Sequence, residues 1–189
     1  MNTISNKHRA TGVGILIIAA YSMLTYSVIN NIPLGVITDI ISGLAVIGIP
    51  LLMFPLFNTD ETKKENYAYL VSRVIEGILM IIGGLFILHP ALADYRDFIY
   101  IHIHIYFFIA GALFFYVLLY LTQLIPKFIS VWGIAATILL LIVTIIKLFG
   151  VESPILNVLL LPIITNELFL AVWLMVKGFN LQFVKILTV

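Results

Sequence analysis

Arg73 and Glu76 lie three residues apart inside YLVSRVIEGILMIIGG, residues 69–84, a run otherwise apolar enough to cross a bilayer. A charge at mid-bilayer costs about 3 kcal/mol on insertion scales, so such residues face a protein interior and a partner. Spacing i to i+3 puts both on one helix face, with Cβ atoms about 5–6 Å apart. Tyr69, Arg73, Glu76, Met80 and Gly83 continue that face in steps of four, three, four and three. A second acid, Glu167, sits in a separate apolar run. One guanidinium between two carboxylates can anchor a polar ligand, or leave the acids sharing a proton. The plainer use of the same three groups is an ion-pair network that fixes which helix packs on which.

A second cluster has the right atoms for metal chemistry. His89, His102 and His104 lie near Asp94 and Asp97, with Asp39 expected at the same level. Imidazole and carboxylate suit a divalent metal, and two opposed imidazoles suit haem. Against this, His102 and His104 are two apart, so on a helix they point about 200° from one another. Neither H-E-x-x-H nor H-x-x-E-H occurs in the chain. The expectation is therefore no cofactor, with haem or metal on these histidines as the alternative. Otherwise they are interfacial groups bonded to loop backbone or water. Walker loop, nucleophile elbow and dinucleotide glycine fingerprint are all missing from the sequence.

The elements that must position these groups are transmembrane helices. Of 189 residues, 62 % are hydrophobic and 10 % charged, where a soluble domain has about 45–50 % apolar and about 25 % charged. Six nearly charge-free windows are long enough to span the hydrocarbon core, near 12–29, 38–57, 67–88, 98–121, 131–148 and 155–178. The connections are short, so residues 1–189 form one all-α domain, a bundle of six helices. Lys7 and Arg9 before the first run have the order of a signal peptide, but the run is long and lacks a small-x-small cleavage site. It is read as a retained first helix. Pro50 and Pro55 predict a kink in the second helix, Pro162 one in the sixth, and residues 179–189 an interfacial tail.

Orientation follows from the basic residues. With the N-terminus inside, inner segments hold Lys7, Arg9, Lys63, Lys64, Lys127, Lys177 and Lys185, and outer ones only Arg96 and Lys147. That asymmetry predicts cytoplasmic N- and C-termini. A net charge of +1 offers no basic patch for nucleic acid. The absence of cysteine excludes disulfides, thiol catalysis and cysteine-held clusters.

Several segments resemble a known family. They are ATGVGILI near the start, SRVIEGILM in the third helix, ALFFYVLLYLTQLIPKFISVWG, and ITNELFLAVWLMVKGF near the end. The most specific pieces are Arg73 with Glu76, Leu124-Ile125-Pro126 with Ser130-x-Trp132-Gly133, and Glu167 with Trp173 and Lys177-Gly178-Phe179. Together, in order and over nearly the whole chain, they resemble the bacterial six-helix family catalogued as domain of unknown function 4386. The resemblance implies a multi-pass protein of the bacterial cytoplasmic membrane with a single domain, and implies no activity.

The functional expectation is a polar centre at Arg73, Glu76 and Glu167, with Tyr69 beside it, that binds a small ligand or relays protons. A membrane enzyme or haem or metal carrier using the outer histidines is one alternative, and a structural or accessory subunit is another.

Overall fold

The computed structural model describes residues 5–29 and 31–180. Asn30, Lys185 and all of the expected interfacial tail beyond Asn180 lie outside the described residues. The described chain is all-helical, with six helices long and apolar enough to cross a membrane. A helix satisfies its backbone groups internally, which hydrocarbon demands.

The first span, Asn6–Ile29, is α1 (Asn6–Ala20), one 3₁₀ turn (Tyr21–Met23) and α2 (Leu24–Ile29). The second is α3 (Ile32–Phe57) and the third α4 (Lys63–Phe86). The fourth span joins α5 (Ala93–Ile99), a π-helical turn (Tyr100–His104) and α6 (Ile105–Thr122). The fifth is α7 (Lys127–Leu148), and the sixth joins α8 (Pro154–Val158) to α9 (Leu161–Val176).

These helices start before hydropathy alone marks them, because polar first turns are helical too. Asn31 caps α3, its side-chain oxygen accepting from Leu34 N at 3.0 Å, and Lys63, Lys64 and Glu65 form the first turn of α4. In the second span the helix runs on through Pro50 and Pro55. The sixth is interrupted just ahead of Pro162, which sits in the first turn of α9 where its missing N–H is harmless.

Each span packs on its neighbours in sequence, and the sixth packs on both the fifth and the first. Six helices thus close into a ring. Small residues set the tightest approaches: a Cβ added at Gly43 would lie 2.5 Å from the Gly77 carbonyl oxygen, and one at Gly77 2.5 Å from that of Gly43. Spans two and three therefore touch backbone to backbone, the close contact small residues permit in lipid.

The end of the ring at the start of α1 and the close of α9 is packed with aromatic and aliphatic side chains. Phe57, Tyr69 and Phe115 pack there with centroids 5.3–6.2 Å apart, Tyr69 stacked on Phe115. Met53, Leu118, Leu119, Leu124 and Leu174 complete the plug. Arg9 of α1 donates to the Leu52 carbonyl of α3, and Asn180 N to the Leu124 carbonyl at 2.8 Å, so α1 and the segment after α9 are tied to this layer.

Candidate functional site

Above the plug the ring encloses a cavity of about 180 Å³, lined by residues of all six spans. An apolar cavity of ~150 Å³ admits benzene. Most of the wall is aliphatic, including Ile17, Val46, Ile49, Met80, Leu140 and Ile163. Set into it are five polar side chains: Tyr21, Arg73, Glu76, His104 and Glu167.

Arg73 and Glu76 make the ion pair that their spacing predicts. Arg73 Nη1 donates to Glu76 Oε2 at 2.9 Å and to Oε1 at 3.2 Å, both side chains almost wholly buried. The guanidinium lies 5.9 Å from the Tyr69 ring centroid and 5.4 Å from that of Phe108, within cation–π range of each. Span four yields at Gly111, where a Cβ would stand 2.9 Å from both Cδ and Nε of Arg73. Nε is buried there without a hydrogen-bond partner among the described residues.

Tyr69 is fully buried and lies behind Arg73 rather than on the cavity wall. Its ring supports the guanidinium, and its hydroxyl has no hydrogen-bond partner among the described residues.

Glu167 reaches the same cavity from span six. Its bonded partner is Tyr21, whose hydroxyl donates to Oε2 at 2.6 Å. Arg73 does not bond to it, so the arrangement is one guanidinium paired with one acid and the second acid across the space. Oε1 of Glu167 accepts no hydrogen bond among the described residues. The 3₁₀ turn presents Tyr21 here, and Ser22 steadies that turn by donating to the Ala19 carbonyl at 2.7 Å and meeting Ser42 Oγ at 2.8 Å. Tyr21 is not legible as a site residue in the sequence, since a lone tyrosine in an apolar helix carries no periodic signal.

The three histidines do not converge. His104 is buried with Nε2 3.6 Å from Glu76 Oε1, outside direct hydrogen-bond reach, and its ring stacks on Tyr100 at 4.9 Å. His102 is exposed and lies against Phe98 at 4.9 Å. His89 is exposed and accepts from Ala91 N through Nδ1 at 3.3 Å. Among the described residues no three His, Cys, Asp or Glu side chains gather as a metal site. His104 thus belongs to the Glu76 centre, turned inward within the π-helical turn, a feature common at functional sites.

A second buried ion pair closes the far end. Arg96 Nε donates to Asp39 Oδ2 at 2.7 Å and Nη2 to Oδ1 at 3.1 Å, a bidentate grip between α5 and α3. Nη2 also donates to the Met23 carbonyl at 3.2 Å, and the guanidinium lies 5.0 Å from the Tyr26 ring centroid and 4.6 Å from that of Tyr100. Both charged side chains are buried, Asp39 completely. Hydropathy alone leaves Arg96 in an outer loop. Helix four begins at Ala93 instead, which carries Arg96 into the bundle.

A family model described as "Domain of unknown function (DUF4386)" matches residues 19–178. No curated protein and no solved structure matches the chain. The matched stretch includes every polar residue of the cavity and both partners of the Asp39–Arg96 pair.

Proposed function

The chain belongs to the family described as domain of unknown function 4386, a membership that brings a family and no activity, and from that premise we propose a membrane protein that takes a small molecule into its central cavity. One observation carries the reading. Charged side chains from spans three and six border a cavity of about 180 Å³ instead of being packed only against protein. A network serving helix specificity alone needs no such space. Pockets of this kind, apolar with a few convergent polar groups, are the usual form of a ligand site.

Proton exchange is the second reading, favoured by the Tyr21–Glu167 bond and by His104 lying 3.6 Å from Glu76 on the opposite wall. Both readings use Arg73, Glu76 and Glu167, with Tyr69 holding Arg73 in place. The excess of Lys and Arg on segments at the plugged end supports an assignment of that end to the cytoplasm. The bacterial cytoplasmic membrane is the proposed location.

The test is thermal unfolding of the detergent-purified protein against a panel of small amphiphiles. Ligands that raise the midpoint in the wild type, and lose the effect in Glu167→Gln or Glu76→Gln, support the cavity as a binding site. Variants that only lower the midpoint, with no compound shifting the wild type, return the polar centre to a structural role.

A further inference from the structure

Resting on the reading of the cavity as a ligand site, we infer that its ligand is a small lipophilic cation, a protonated amine on an apolar body. The wall carries one guanidinium and two carboxyl groups, so one acid is left without a cation of its own among the described residues. The positive member already holds a carboxylate: Nη1 of Arg73 donates to both oxygens of Glu76, while Nε lies against Gly111 with no hydrogen-bond partner among the described residues. The second acid is the one left over. Glu167 holds a single phenolic donor on Oε2, and its other oxygen accepts nothing among the described residues. The neighbouring Asp39–Arg96 pair compensates itself and adds no net charge.

The rest of the lining fits the same class. Tyr21, Phe108 and Phe115 line the cavity with aromatic rings, and aromatic rings attract cations, most strongly when water is excluded. The aliphatic remainder accepts an apolar body, and the volume suits one ring with a short polar head. An ammonium donates to a carboxylate with a charge-assisted bond, about twice as strong as a neutral one. Leu24, on the wall, is 49 % exposed, which marks span one as the side where the cavity comes nearest the bundle surface.

Three probes of nearly one shape decide the matter: benzylamine, benzyl alcohol and benzoate, titrated into the detergent-purified wild-type protein by calorimetry. The expected order is benzylamine tightest, by about tenfold over the alcohol, as a hydrogen bond to a charged group gains over a neutral one. Benzoate is expected not to bind. Glu167→Gln should bring the amine down to the affinity of the alcohol and so remove the preference. Equal affinities for amine and alcohol in the wild type would overturn the cation inference while keeping a ligand cavity. Tighter binding of benzoate would overturn it in favour of Arg73 as the anchor. Failure of all three to bind would remove the amine inference and weaken the ligand reading beneath it, which then rests on the wider amphiphile panel. The wild-type series needs no variant to fold.

Discussion

The Tyr21 hydroxyl donates to Glu167 Oε2 at 2.6 Å across 146 positions of sequence, and this bond joins the first span to the last where the ring closes. Beside it Gly14 packs against span six, with a hypothetical Cβ only 2.6 Å from the Ala171 carbonyl oxygen. Closure therefore rests on close backbone packing with one polar bond added. Interhelical hydrogen bonds in membrane proteins average about 0.6 kcal/mol in double-mutant cycles. Tyr21→Phe should accordingly lower stability by no more than about 1.5 kcal/mol, measured by reversible unfolding in mixed micelles. A larger loss would mean that the hydroxyl holds the 3₁₀ turn itself in place.

Arg73 and Glu76 offer a sharper contrast between removing one partner and removing both. Arg73→Met leaves the Glu76 carboxyl buried without its cation, a change that costs about 3–5 kcal/mol. Replacing both partners with apolar side chains is often neutral or stabilising. Arg73→Met with Glu76→Met should thus unfold at a higher temperature than Arg73→Met alone, while binding of cavity ligands is altered. Additive losses in the cycle would show that the two side chains act independently, against the 2.9 Å contact.

Much of this was legible in the residues, and the parts that were not share a cause. Six spans follow from hydrophobic run length, and the Arg73–Glu76 pair from i, i+3 spacing, both local quantities. Glu167 could be brought to their depth because each helix rises about 1.5 Å per residue. Its bonded partner could not, because Tyr21 lies on a different span and is presented by a turn that departs from α geometry. That His104, named only among the outer histidines, joins Glu76 was hidden for a similar reason: the π-helical turn at Tyr100–His104 changes the angular register on which any helical projection depends. Arg96 and Asp39 are 57 residues apart, and no periodicity connects them.

That second pair yields its own prediction. Arg96 grips Asp39, the Met23 carbonyl and two aromatic faces at once, so it ties α5 to α3 and to the 3₁₀ turn that presents Tyr21. Arg96→Met should cost about 3 kcal/mol or more by leaving Asp39 buried and uncompensated. Asp39→Leu in the same chain should recover part of that loss, because no unpaired charge then remains. Arg96→Lys should rescue poorly, since an ammonium cannot make the bidentate contact. Thermal midpoints of the four proteins decide this, and full rescue by lysine would show that charge alone suffices.

The backbone contact between spans two and three tests the packing that keeps the ring narrow. Gly77→Ala would set a methyl 2.5 Å from the Gly43 carbonyl oxygen and 2.6 Å from Ile47 Cγ1, and a carbonyl inside a helix cannot move aside alone. The two helices must part, and overpacking of this kind costs about 1–3 kcal/mol. Glu76 precedes Gly77, so parting the helices also shifts the acid against Arg73 and His104. Gly12→Ala is the matched control, because its Cβ would meet only the flexible end of Leu52 at 3.3 Å. Alanine at position 77 should therefore lower the thermal midpoint and weaken binding in the cavity together, while alanine at position 12 does neither. Equal behaviour of the two variants would mean that the approach of Gly43 to Gly77 does not set the position of the polar centre.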